Sequence, residues 1–104
     1  MLEKQLEAKI VKIAKELGYL TYKFTSPSNR GVPDRIFINA RGAVFFMEFK
    51  SDTGNLTKLQ EKTIDNIEKY RVPVYIISNF EHGKFVLQAL VHQSEMYPSQ
   101  FKNK

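Results

Sequence analysis

Two short stretches of this chain hold residues of the kind that break phosphodiester bonds. Gly31-Val32-Pro33-Asp34 leads into the apolar run Ile36-Phe37-Ile38, and Glu48-Phe49-Lys50 closes a second apolar run that begins at Ala43. Side chains alternate between the faces of a strand, so Glu48 and Lys50 point the same way. If the two runs pair as a hairpin, the start of one meets the end of the other, and Asp34, Glu48 and Lys50 converge. Phosphodiester hydrolysis requires charge on the phosphate to be neutralised, a water to become a better nucleophile and the leaving oxygen to be stabilised. Carboxylates can hold Mg²⁺ for this, a hard ion that keeps waters and substrate oxygens in its other positions. Asp34 and Glu48 are the expected metal ligands, with the backbone carbonyl of Phe49 as a further oxygen. Lys50 is expected beside the scissile phosphate, orienting the water or stabilising the transition state. Taken singly, an acid and a lysine two apart on a strand are a surface ion pair worth little, and an Asp after Pro is a turn residue. Their combination at the end of a buried strand favours a site.

The elements that must position these residues are legible as periodicities. Leu2, Leu6, Ile10, Ile13 and Leu17 fall on one stripe, which predicts a helix from Leu2 to Leu17 with Gly18 as its stop. Tyr19 to Thr25 reads as a strand, and Ser26 to Pro33 as a loop. Ile36 to Ile38 and Ala43 to Phe49 are two strands joined by a turn at Asn39-Ala40-Arg41-Gly42. The second is apolar on both faces, as a central strand is. Thr57 to Tyr70 reads as a helix opened by a capping box of Thr57 and Gln60, with Leu59, Thr63, Ile67 and Tyr70 as its buried stripe. Pro73 opens a strand, Val74 to Ser78. A turn at Glu81 to Gly83 then precedes a third helix, Phe85 to Met96, packing Phe85, Leu87, Leu90 and Val91. Pro98 to Lys104 is expected to fray. The predicted order is α-β-β-β-α-β-α, a mixed α/β sheet of about four strands flanked by helices.

Length and composition agree with this. The chain's 104 residues suit a single domain, 1–104, and 42% hydrophobic residues with 12% aromatics suffice for a core. No cysteine is present, which excludes disulfides and thiolate metal sites. No apolar run approaches membrane-spanning length, and the charged, amphipathic N-terminus is unlike a signal peptide. An intracellular protein, not a secreted one, is expected. The net charge of +5 suits a polyanionic partner. His82 and His92 stand alone, without partners for a histidine metal site or a nucleophilic triad.

Asp34 followed by Glu48-Phe49-Lys50 resembles the PD-(D/E)xK nuclease signature, down to the leading Pro33. Gly31-Val32-Pro33-Asp34-Arg35, the hairpin with Gly42, and Gly54-Asn55-Leu56-Thr57-Lys58-Leu59-Gln60 are similar to one branch of it, the VRR-NUC family (virus-type replication-repair nucleases). The likeness covers roughly residues 1 to 80. It implies a restriction-endonuclease-like core and a Mg²⁺-dependent structure-selective endonuclease, with Mn²⁺ as a possible substitute. Small stand-alone members, often phage-encoded, look like Holliday-junction resolvases acting as homodimers. Such a chain would work on branched DNA in the cytoplasm of a bacterium or a phage-infected host, with no small-molecule cofactor and no membrane. By this resemblance Asp34 and Glu48 bind metal, Lys50 is the catalytic lysine and Gln60 lies near the active centre. Gln60 also explains itself as the partner of Thr57. Related resolvases carry a helix-1 glutamate eleven residues before a Gly-aromatic pair. Glu7 stands at that spacing before Gly18-Tyr19, with Glu3 one turn earlier as its rival. Its role would be to complete the metal site or a second one.

Ser26, Ser28, Asn29 and Arg30 in the entering loop, Arg35 after the key aspartate, and Lys58 and Lys62 early in the second helix form a set suited to phosphate contacts. The aromatic strand Tyr19 to Phe24 and the apolar part of the C-terminal segment are the expected surfaces for a second copy. Two other readings stay open: a binding module of the same fold, and a subunit of a larger repair or packaging complex that does not resolve junctions by itself.

Overall fold

A computed structural model of the protein describes residues 1–94. Its elements run α1 (Glu3–Glu16), β1 (Leu20–Lys23), β2 (Arg35–Ile38), β3 (Val44–Phe49), α2 (Lys58–Glu68), β4 (Val74–Ile77) and α3 (Phe80–Leu90), the predicted order. The first three strands form an antiparallel meander, and β4 joins β3 in parallel to complete a four-stranded sheet ordered β1-β2-β3-β4. A parallel step needs a crossover, which α2 supplies. The expected hairpin is present: Arg35 lies opposite Met47, which brings Asp34 level with Glu48.

The alternation of β3 divides the core. Phe45, Met47 and Phe49 face Leu6, Ile10 and Ala14 of α1 and Val86 and Leu87 of α3. Phe46 faces the other way, onto Ile64 of α2 and Val74, with Phe24 and Ile36 packed around them. Tyr19 ties the first layer together. Its hydroxyl donates to the Leu87 carbonyl at 2.7 Å, and its ring stands edge-on to Phe37 and Phe45.

The helices depart from the predicted stripes in instructive ways. In α1 burial falls on Leu6, Ile10 and Ala14, while Leu2, at the N-cap, is exposed. In α2 it falls on Thr63 and Ile64, and the expected stripe members Leu59 and Tyr70 are exposed. That helix covers Phe46 and Val74 and therefore presents its Ile64 flank to them; Tyr70 lies beyond its last turn. The largest correction concerns α3, which begins at Phe80 instead of Phe85. Asn79 caps it by accepting the His82 amide at 2.8 Å. Gly83, read as part of a turn, lies inside the helix. A Cβ there would stand 2.5 Å from Ile10 Cδ1, so the glycine lets α3 approach α1. Val86 and Leu87 are buried and Phe85 is 68% exposed. Met96 and Pro98 to Lys104 lie outside the described residues. No helix of the described residues is long and apolar enough to cross a membrane.

Candidate functional site

The polar groups gather at one end of the sheet, where β2 begins and β3 ends. Glu48 is only 3% exposed although its side chain is ionisable. Its Oε2 receives the Lys50 ammonium at 3.4 Å and the Gln60 side-chain amide at 3.1 Å. Asp34 reaches the same place from the facing strand, and its Oδ2 accepts the Phe49 main-chain N–H at 2.8 Å. Lys50 is anchored through its backbone, which donates to the Ile77 carbonyl of β4 at 2.9 Å. The site thus uses both neighbours of β3: the antiparallel partner brings Asp34, and the parallel one fixes the strand end. Gln60 holds both of its expected positions at once. Its Oε1 accepts the Thr57 amide at 2.9 Å, closing the capping box, while its nitrogen holds Glu48.

Burial here runs against ionisation. Glu48 is pushed up to about 7, first by desolvation and then by the nearby Asp34 carboxylate, with Lys50 opposing. Asp34 is also raised, by desolvation above all, against the stabilising amide of Phe49. Two carboxyl groups that resist shedding their protons form an oxygen-only donor pair whose repulsion a divalent cation would relieve. The donor chemistry therefore fits a hard ion such as Mg²⁺. No group of three or more His, Cys, Asp or Glu placed to hold a metal occurs among the described residues.

The loop entering Asp34 is seated on α2. Asn29 Oδ1 accepts both the Gly31 amide at 3.2 Å and the Thr63 hydroxyl at 3.3 Å. At Gly31 a Cβ would meet Thr63 Oγ1 at 2.5 Å and the Leu59 carbonyl oxygen at 2.7 Å, so only glycine lets the loop lie this close. Asn29 is in this way a brace between loop and helix. Ser28, Arg30, Lys58 and Lys62 are exposed around the entrance, and Ser26 is half-buried.

Two expected residues meet each other instead of standing free. Glu7 Oε2 accepts Arg35 Nε at 2.7 Å and Lys23 Nζ at 3.5 Å. Arg35 is thereby held against α1. The rival acid, Glu3, accepts the Ser51 amide at 3.2 Å. Glu7 lies close enough to raise Asp34, and Glu3 close enough to raise Glu48, so the first turns of α1 border the site. Sequence reasoning missed Lys23 and the Phe49 amide. Lys23 becomes visible only once the register sets it opposite Arg35. The expected aromatic surface for a second copy is divided: Tyr19 is core, Phe24 packs on Phe46 with ring centroids 5.0 Å apart, and Leu20 and Tyr22 are exposed.

No family model matches the chain. A protein of Acyrthosiphon pisum secondary endosymbiont phage 1, described as "Putative nuclease p44", is 39% identical over 49 residues, or 47% of this chain. The match spans about half (53%) of that relative's length. A solved structure described as "VRR_NUC domain" superposes with a TM-score of 0.74 at 21% identity, over 88% of this chain and 95% of the other. The chain therefore has the fold of that domain, and the restriction-endonuclease-like α/β architecture expected from the sequence is present.

Proposed function

We propose that this chain is a nuclease of the VRR-NUC family, with the phosphodiester backbone of branched DNA as its substrate. The fold and the phage relative support the nuclease reading. The observation that carries it is the meeting of Asp34 and Glu48 from two strands of one hairpin, with the Lys50 ammonium 3.4 Å from Glu48. Asp34, Glu48 and the Phe49 carbonyl would hold Mg²⁺, or Mn²⁺ in its place. Such an ion neutralises phosphate charge and acidifies bound water.

The remaining work falls to the chain's own groups. Lys50, gripped by Glu48, offers a fixed positive charge to the phosphate as negative charge grows on it. Gln60 fixes the orientation of Glu48, as an outer partner of a ligand does. The N-terminus of α2 turns its free N–H groups toward an approaching phosphate, with Lys58 and Lys62 beside it. A four-way junction has symmetric scissile strands, which suits a two-fold pair of sites. Leu20 and Tyr22, exposed on the edge strand β1, are the apolar surface such a homodimer would use.

The test is cleavage of a four-way junction, a flap, a fork and a linear duplex, each with Mg²⁺ and with EDTA. Junction cleavage only with the metal is expected, and Glu48→Ala and Lys50→Ala should each abolish it while leaving junction binding intact. Full metal-dependent activity in either variant would overturn the assignment. A size measurement on the purified chain separates a self-sufficient dimer from a subunit of a larger repair or packaging complex.

A further inference from the structure

An open groove of about 390 Å³ runs between α1 and the strand ends, lined by Lys4, Glu7, Ala8, Val11, Lys23 and Arg35. Its α1 residues fall at positions four, seven, eight and eleven, one face of the helix. Three cations line the groove against one carboxylate, which leaves a surplus of positive charge. Arg35 is the fixed member, its side chain 19% exposed and its Nε bound to Glu7. That bond uses one edge of the guanidinium and leaves the Nη groups to form a planar fork. Lys23 is 65% exposed and touches the same carboxylate only at 3.5 Å. Lys4 pairs with no acid among the described residues.

The groove adjoins the candidate active site. Lys23 and Arg35 lie opposite each other in the sheet, and the Phe24 amide next to Lys23 donates to the Asp34 carbonyl at 2.8 Å. Lys23 and Glu7 both act on the Asp34 carboxyl. Arg35 follows Asp34 directly and shares the face of β2 that carries Phe37, the α1 side. The groove therefore approaches the site from the α1 side of the sheet end, while Gln60 approaches it from the α2 side.

We propose that this groove is a backbone subsite, which takes the phosphates flanking the bond cleaved at Asp34 and Glu48. It rests on the nuclease reading above and adds the path of the strand to it. A nucleic-acid strand presents a negative charge about every 3.4 Å, so a strand lying over Asp34 must set further phosphates beside it. Arg35 receives one through its fork, which suits phosphate geometry. Lys23 and Lys4 flank it as mobile point charges. Glu7 is a positioning residue that keeps the guanidinium turned into the groove.

The experiment measures binding of a fluorescein-labelled four-way junction by anisotropy, in EDTA, as NaCl is raised. Wild type is compared with the double variant Lys4→Gln/Lys23→Gln, with Arg35→Gln, and with Lys69→Gln/Arg71→Gln as a control just beyond α2, at the end opposite Gln60. The Lys4→Gln/Lys23→Gln variant should weaken binding about tenfold and lower the slope of log Kd against log salt by about 2, one phosphate per lysine. Arg35→Gln should lower it by about 1. Both control residues are exposed, and their variant should keep the wild-type slope. Groove variants that melt like wild type and retain its slope would overturn the proposal. Because binding is read without metal, failure of the wild type to cleave would sink the nuclease reading alone and leave this comparison standing.

Discussion

Gln60 bridges Thr57 and Glu48. One end of its side chain accepts the Thr57 amide at 2.9 Å, and the other donates to Glu48 Oε2 at 3.1 Å. The first turn of α2 and the aim of a buried carboxylate are therefore a single assembly.

Two substitutions separate those duties. Gln60→Ala should lower stability by about 1 kcal/mol, the usual scale of a lost helix cap, and cleavage by about 10–100-fold, as for outer partners of metal ligands. Gln60→Glu keeps an acceptor for Thr57 but sets a second acid against Glu48. It should melt near wild type and still lose cleavage like the alanine variant. A Gln60→Glu protein that cleaves at the wild-type rate would show that the contact with Glu48 is incidental.

The raised carboxyls make stability depend on pH. An exposed glutamate ionises near 4.5, whereas Glu48 in the folded chain holds its proton to about 7. Between those values the folded state binds a proton that the unfolded state has released, so stability falls as the pH rises, by about 1.4 kcal/mol per unit of displacement. Urea denaturation across that window should show the decline, and Glu48→Gln should flatten it. Mg²⁺ should raise the melting temperature more above the window than below it, because binding then no longer competes with protons. Equal effects on both sides would count against ion binding by these acids.

Gly31→Ala should act at a distance from the chemistry. The added methyl has α2 backbone 2.7 Å away, so the loop must lift and take Asp34 with it. A loss of about 1–3 kcal/mol is expected, the range for overpacking, with a fall in kcat that persists at temperatures where the variant is fully folded. Unchanged kcat under those conditions would mean that the loop does not set Asp34.

Glu7→Gln, which turns the ion pair with Arg35 into a neutral hydrogen bond, should lower stability by about 1 kcal/mol and leave the Mg²⁺ concentration for half-maximal cleavage unchanged. Glu3→Gln, which removes only the charge on a contact to the Ser51 amide, should melt near wild type. A raised Mg²⁺ requirement in Glu7→Gln alone would place its carboxylate at the metal instead of on Arg35.

Much of this was legible in the residues because it depends on period and local chemistry. Two-residue alternation put Glu48 beside Lys50, pairing of two apolar runs brought Asp34 to them, and Thr57 with Gln60 announced a helix start. What the chain concealed depends on packing between distant elements. Gly83 looks like a breaker until Ile10 is known to press on it. Leu59 and Tyr70 fit a helical stripe, but only contact with Phe46 and Val74 decides which flank is covered. Glu7 and Arg35 lie 28 positions apart, and no local rule pairs them.

The Tyr19 hydroxyl and the Leu87 carbonyl, joined across 68 positions, have a consequence for timing. Every side chain assigned to the chemistry belongs to the stretch ending at Gln60, and a ribosome delivers that stretch first. The sheet edge that anchors Lys50 and the helix that receives the tyrosine follow later. The strand and helix that follow α2, which donate no side chain to the reaction, thus decide when a nascent molecule can begin it.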